Sequence, residues 1–392
     1  MLHYLLSLMR ERLLDLGIYH WFSVLDQLHF RALACAGLSF ILVLALGRRT
    51  IATLTRMKIG DPGLTDADAL RTVAASKANT PTMGGLLIAG AILISTLLLA
   101  DLSNYYIAMG LVVLVWLAGV GGADDWLKLT AARRGAGSRQ GLYAWEKLVF
   151  QLGIALLIGV FAFGRGDNPN VAHDIAHAMN FPFQKTYDPE NGWAANPALW
   201  YLPRWAYVIF AMLLIAGMSN AVNISDGMDG LATGTTAIVC IGLLVLALIA
   251  GSMSFAQTLL VPYVEGADEL SVLAGAMLGA CLGFLWWNCS PASVFMGDTG
   301  SLALGGQIGY YALILRQEYV ILLMSAVFIF EIVSVILQVG CYKATKGKRI
   351  FRCAPYHHHL HMGGWTEQKI VVRFWIITVL LVIVALASIK VR

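Results

Sequence analysis

Hydrophobic positions in this chain come in long blocks, and polar positions are confined to the segments between them. Apolar runs read at 22–46, 81–100, 104–121, 147–163, 205–222, 231–250, 272–287, 302–315, 320–342 and 371–389. A helix rising 1.5 Å per residue needs about 20 apolar residues to cross about 30 Å of hydrocarbon. The pattern predicts an all-α integral membrane protein with about ten transmembrane helices. The 302–315 run is short enough to be re-entrant, which leaves nine or eleven crossings as alternatives. Most connections are short and no internal repeat is visible, so residues 1–392 read as a single polytopic membrane domain. Polar segments lie at 47–80, 122–146, 220–230, 288–301 and 343–370. The long 164–204 connection holds Pro169, Pro182, Pro189, Pro197 and Pro203, with Trp193, Trp200 and Trp205 at and beyond its end. It predicts a small hairpin or an interfacial cover.

Composition agrees. A soluble domain carries roughly 25% charged residues, whereas this chain carries 13%, with 58% hydrophobic residues and a mean hydropathy of +0.72. With ten spans, the segments after the odd-numbered ones share a side. They hold 17 of the 27 basic residues, in the groups Arg48 through Lys77, Lys128 through Lys147 and Lys343 through Lys369. The positive-inside rule makes that side cytoplasmic and puts both termini outside. Arg10, Glu11, Arg12 and Asp15 interrupt any signal-peptide core, so the first span is expected to act as its own targeting signal. Six scattered cysteines without a C-x-x-C pair read as small packing residues. The net charge of +4 suits anionic lipid heads and phosphorylated substrates, and gives no support to nucleic-acid binding.

Against this background the carboxylates near the hydrocarbon need a reason. Four polar segments fall on the expected cytoplasmic side: 119-GVGGADDWLK-128, 219-SNAVNISDGMDG-230, 287-WNCSPASVFMGDTGS-301 and 352-RCAPYHHHLHMGG-364. Together they can form one active site on the cytoplasmic face. Asp124 and Asp125 are helical neighbours about 100° apart, so they cannot both aim at one atom; alone, they could simply be a solvated helix end. Asn220, Asn223, Asp226 and Asp229 repeat every three residues, and Gly227 and Gly230 predict a helix end running into a turn. A cap needs one such side chain, not four. Asp298 stands between Gly297 and Thr299-Gly300, just ahead of a new helix whose N–H groups can face anions. Mg²⁺ takes one or two carboxylates with waters and phosphate oxygens, which makes Asp298 the first choice for its ligand. Adjacent histidines seldom all reach one ion, so His357, His358, His359 and His361 read better as phosphate-neutralising groups, or as an interfacial loop, than as a zinc site. Carboxylates, Mg²⁺, lysines and histidines around phosphate make a phosphoryl-transfer site, and at a membrane surface the natural acceptor is a lipid phosphate.

These strings resemble the polyprenyl-phosphate N-acetylhexosamine-1-phosphate transferases. The resemblance rests on 79-NTPTMGG-85, 121-GGADDWLK-128, 220-NAVNISDGMDGLA-232, 286-WWNCSPASVFMGDTGSLALGG-306 and 352-RCAPYHHHLHMGGW-365, and it covers nearly the whole chain. The triple histidine resembles the muramoyl-pentapeptide branch. The resemblance implies a ten-helix inner-membrane enzyme that moves phospho-MurNAc-pentapeptide from UDP-MurNAc-pentapeptide to undecaprenyl phosphate, giving lipid I and UMP. It implies Mg²⁺ on Asp298 and an acidic pair, Asp124 and Asp125, near the lipid phosphate. Asn220, Asn223, Asp226, Gly227, Met228, Asp229 and Phe295 look like the nucleoside and phosphate pocket. Lys77, Lys128, Asn288, His357 and His358 look like supporting contacts, with His357 among the catalytic candidates and Gln338 near the uracil. Membrane lipids are implied partners, and a homodimer stays open. The chain departs from the pattern at Met228, which replaces a leucine, and in a 164–204 loop that looks longer than usual. A sister enzyme moving GlcNAc-1-phosphate to the same lipid is the nearest alternative. An ion-coupled transporter or flippase is a remoter one, since only Glu331 sits deep in a span. Direct attack by the lipid phosphate and a two-step route through a phospho-aspartyl enzyme are both open.

Overall fold

The computed structural model describes residues 2–57, 80–131, 141–165, 177–181, 184–188 and 194–390. Lys77 and the first residue of the 79–85 string lie outside them. Two short helices, α1 (Leu2–Asp15) and α2 (Tyr19–Phe22), precede the first apolar helix, α3 (Leu28–Arg56). There follow α4 (Gly85–Leu99), α5 (Tyr105–Thr130), α6 (Ala144–Arg165), α7 (Arg204–Ser225), α8 (Leu231–Ala250), α9 (Met253–Leu259) and α10 (Leu270–Asn288). The chain closes with α11 (Gly297–Ile314), α12 (Glu318–Met324), α13 (Ala326–Ala344), α14 (Tyr356–Met362) and α15 (Glu367–Lys390).

Every expected apolar run is occupied by a helix. Among the described residues eight helices are long and apolar enough to cross a membrane, and α4 is shorter at 15 residues. The boundaries move in informative ways. The first span begins at Leu28 rather than 22, because Ser23–Asp26 forms a 3₁₀ turn and Gln27 is extended. The ninth run divides at Ser325 into α12 and α13. α5 does not stop before the acidic pair; it continues through Asp124 and Asp125 to Thr130. The histidine segment, expected as a polar connection, contains α14.

The centre of the bundle is α11, buried from Thr299 through Ile314 and packed against α5 and α7. A run with so little lipid contact need not be long or strongly apolar. Small residues let its backbone approach its neighbours: a Cβ at Gly309 would stand 2.5 Å from the Leu214 carbonyl oxygen. The second buried helix, α10, packs against α3 and α8.

At the end of the bundle away from Asp124 and Asp298, the described residues of the 164–204 connection form short strand pairs. Antiparallel pairs join Ala178–Met179 to Trp200–Tyr201 and Tyr187–Asp188 to Ala194–Ala195. Arg316, at the far end of α11, is paired with Glu318 at 3.0 Å and donates to the Ala178 carbonyl at 2.6 Å.

Candidate active site

Four helix ends converge on the acidic residues. The last turns of α5 bring Asp124, Asp125 and Lys128, and the first turn of α6 brings Lys147. The last turns of α7 bring Asn220 and Asn223, and α11 opens with Gly297 and Asp298. The 100° between helical neighbours gives the two adjacent aspartates different tasks.

Asp124 is fully buried and faces the lysines. Its Oδ2 lies 2.6 Å from Lys128 Nζ and 2.8 Å from Lys147 Nζ, and its Oδ1 accepts the Leu142 N–H at 2.6 Å. The same two ammonium groups reach Asp298 Oδ2 at 3.2 and 2.6 Å. Asn223 donates to Asp298 Oδ1 at 2.9 Å and to Ser301 Oγ at 2.9 Å. Asp125 turns the other way, toward the start of α11. Its carboxylate accepts the N–H groups of Asp298 at 3.1 Å and Thr299 at 2.9 Å, and the Thr299 hydroxyl at 2.6 Å. An anionic acceptor at exposed N-terminal donors suits both the unpaired amides and the helix dipole. Gly297 permits this approach: its φ is +73°, and a Cβ there would sit 2.7 Å from Asp125 Oδ2.

The second acidic turn, between α7 and α8, is less uniform than its three-residue spacing suggests. Asp226 is half-buried and takes a hydrogen bond from the Gly297 N–H. Burial, then the charges of Asp298 and Asp125, push its carboxyl well above the usual carboxylate range. Asp229 is buried and accepts the Ala292 N–H at 3.0 Å, while its own N–H donates to Glu367 at 2.7 Å. Met228 points into an apolar cluster with Leu231, Val327, Ile370, Val371 and Phe374. Asn220 donates to Gln151 at 2.7 Å. Gly227 is exposed, and a Cβ on it would lie 2.5 Å from His357 Nε2.

Several expected contacts hold the scaffold. Asn288 accepts the Gly230 N–H at 3.1 Å and the Thr233 hydroxyl at 2.9 Å, and donates to the Val294 carbonyl at 2.9 Å. Phe295 links its backbone to Pro81 and Gly84 at 2.8 and 2.9 Å, which fixes residues 81–85 beside α11. Gln338 binds the backbone of Ile350 and Phe351 at 2.9 to 3.0 Å. His357 is buried and its ring lies 4.2 Å from that of His358. Sequence reasoning missed Lys147, Thr299, Ser301 and Glu331 as parts of the site. Lys147 is one of 17 basic residues in the segments expected to share a side, and its spacing marks nothing.

Ligand oxygens of Asp124, Asp125 and Asp298 lie within 4.8 Å of one another, and among the described residues this is the group able to hold a metal ion. The three carboxylates outnumber the two ammonium groups, which stand against Asp124 and Asp298, so an excess negative charge remains, and hard oxygen donors without sulfur or imidazole suit Mg²⁺.

Fold and site together define a polytopic membrane protein whose acidic and basic side chains are gathered at one end of the bundle, with three carboxylates close enough to hold a metal ion. A family profile described as Glycosyl transferase family 4 matches residues 107–316, from α5 through α11. A Phospho-N-acetylmuramoyl-pentapeptide-transferase signature matches residues 77–88. The chain is 40% identical to the phospho-N-acetylmuramoyl-pentapeptide-transferase of Desulfotalea psychrophila, over 95% of this chain and 96% of that one. It is 40% identical to the protein of that name from Chloroherpeton thalassium over the full length of both. For Syntrophus aciditrophicus the identity is 39%, over 95% of this chain and 97% of the relative. The chain belongs to the phospho-N-acetylmuramoyl-pentapeptide-transferase family.

Proposed function

We propose that this chain transfers phospho-MurNAc-pentapeptide from UDP-MurNAc-pentapeptide to undecaprenyl phosphate, producing lipid I and UMP in peptidoglycan synthesis. The observation that carries the reading is Asp298, joined at one helix N-terminus to Lys128, Lys147 and Asn223 and bordered by Asp124 and Asp226. In the reaction an oxygen of the lipid phosphate bonds to the phosphorus that carries the sugar. The bond from that phosphorus to the bridging diphosphate oxygen breaks, and UMP leaves with the electron pair.

Asp298, with Asp124 beside it, would hold Mg²⁺, which when bound supplies charge neutralisation on the diphosphate. Lys128 and Lys147 are placed to bind phosphate oxygens once a cation takes over their carboxylates. Asp124 orients the attacking lipid phosphate or takes its proton. Its complete burial beneath Leu142 and two lysines supports that role over a covalent phospho-aspartyl intermediate. Asp226, with the neighbouring Gly227, is assigned to the nucleotide. The basic segments beside these residues support a site facing the cytoplasm, in the inner membrane of a bacterium.

The test is UMP release by purified protein with undecaprenyl phosphate and Mg²⁺, comparing UDP-MurNAc-pentapeptide with UDP-GlcNAc. Turnover of the first alone is expected, and preference for UDP-GlcNAc would transfer the chain to the sister activity. Rapid quenching should trap no phosphoenzyme. Full activity of Asp298→Asn at low Mg²⁺ would remove the metal assignment.

A further inference from the structure

Glu331 is a carboxylate within the apolar helix α13, wholly buried, and no step above uses it. Its partner is His357, from α14. The His357 backbone N–H lies 3.2 and 3.4 Å from the two Glu331 oxygens, and Nδ1 lies 3.1 Å from Oε2. A carboxylate accepts only, so the ring proton belongs on Nδ1. That fixes the tautomer and the ring plane, and turns Nε2 the other way. Nε2 is buried, has no hydrogen-bond partner, and lies against Gly227 of the Asp226–Asp229 turn. A buried polar atom without a partner is costly, and such an atom in a native fold calls for an explanation.

We infer that Glu331 is a positioning residue for the nucleotide pocket: it clamps His357 by backbone and ring so that Nε2 is presented at the Asp226–Gly227 turn, where bound substrate completes its hydrogen bonding. The inference rests on the transferase reading for the substrate and on the observed contacts for the clamp. α13 and α14 approach each other at this pair, and among the described residues Glu331 is the hydrogen-bond partner of the His357 ring, whose other ring contact is the tilted stack on His358 at 4.2 Å. Glu331 therefore acts only through His357.

The test is a double-mutant cycle with a spectroscopic arm. UMP affinity, and kcat and KM for UDP-MurNAc-pentapeptide, are measured for full-length wild type, Glu331→Leu, His357→Ala and the double variant. Glu331→Leu should weaken UMP binding about tenfold, as expected for loss of charge-assisted hydrogen bonds, mainly through KM. In the His357→Ala background the same change should cost less than about twofold, since residues acting as a unit are non-additive. Multiplying losses would overturn the clamp. Ring-¹⁵N histidine NMR supplies a readout independent of turnover: wild type should show one His357 tautomer, protonated at Nδ1, and Glu331→Leu a mixture. Unchanged ring resonances in Glu331→Leu would also overturn it. Failure of UMP binding in wild type would instead count against the transferase reading and leave the NMR outcome decisive. If Glu331→Leu does not fold, Glu331→Ala, which likewise removes both acceptor oxygens, carries both arms with the same criteria.

Discussion

Asp125→Ala should destabilise the protein more than Asp124→Ala, although the two residues are adjacent and both are buried. At Asp125 the change removes an acceptor for two backbone N–H groups and one hydroxyl, at 2.6 to 3.1 Å, in a place only 3% exposed. Hydrogen bonds to a charged group contribute about 1.5–3 kcal/mol each. The three share one carboxylate and are not additive, and deleting a helix N-cap alone costs about 1–2 kcal/mol. A loss of about 3–4 kcal/mol is therefore expected. At Asp124 the partners are the Leu142 N–H and two lysines that keep Asp298 as counter-ion, and the Lys128 side chain is 45% exposed. Both lysines keep a counter-ion, so no charge is left unpaired, and the loss should stay near that of the one backbone hydrogen bond, about 1.5–3 kcal/mol. Thermal unfolding in detergent, followed by tryptophan fluorescence, should show a midpoint lowered by about 5 °C or more for Asp125→Ala, and clearly less for Asp124→Ala. The kinetics should separate as well. Removing Asp125 lets the start of α11 relax and displaces Asp298, so kcat falls while KM for undecaprenyl phosphate holds; a direct lipid contact would raise that KM. Equal midpoints for the two variants, or an Asp125 defect confined to the lipid KM, would refute the capping argument.

Gly297→Ala should lower both stability and turnover, because the residue sits at φ +73° and its new methyl would meet Asp125 Oδ2 at 2.7 Å and Thr82 Oγ1 at 2.9 Å; a left-handed alanine alone costs about 1 kcal/mol. Lys147→Met should cut turnover at least tenfold, since it removes a cation 2.8 and 2.6 Å from two carboxylates, while Arg at that position should retain part of it, as read by UMP release. The Asp226 carboxyl is raised in the fold by burial and by Asp298 and Asp125, so its ionisation opposes folding as pH climbs past the ordinary carboxylate range. In metal-free protein Asp226→Asn should raise the thermal midpoint at neutral pH and leave it unchanged below about pH 4, where the unfolded-state carboxyl is also protonated, at the expense of UMP binding.

Much of this was legible in the sequence, for a physical reason. Blocks of apolar residues are a strong signal, and a carboxylate next to hydrocarbon is rare enough to stand out, so the helices and the acidic segments could both be read directly. Helix ends were harder. α5 passes through Asp124 and Asp125 because those charges are satisfied by Lys128, Lys147 and the start of α11, partners that only tertiary packing supplies. α11 looked short enough to be re-entrant because a helix surrounded by protein needs little apolar surface of its own. Lys147 carried no local signature, and Glu331 stood out only as a carboxylate deep in a span; the importance of each lies in which distant residue it meets. Asn288 and Met228 sit inside strings that resemble a ligand pocket, and Gln338 lies between two of them; in the fold their side chains also tie α8, α13 and α15 to neighbouring turns. Spacing alone could not separate residues that hold the pocket from residues that line it.

The same distinction resolves the charge problem. Five aspartates gathered at one end of an apolar bundle would repel one another strongly if all were equivalent. Asp125 and Asp229 are instead bound to backbone N–H groups, of Asp298 and Thr299 in one case and Ala292 in the other, so their charge is spent on the geometry of two turns. Asp124 and Asp298 share two lysines. Asp226 is left with a backbone N–H and raised proton affinity as its main compensation. Of the five, Asp298 and Asp226 are the ones left partly exposed, at the edge where they meet the exposed Gly227. A cation carried in with a diphosphate would find its greatest electrostatic gain at that edge. The glycines that bring the α11 backbone against α5 and α7 are what hold the edge in place.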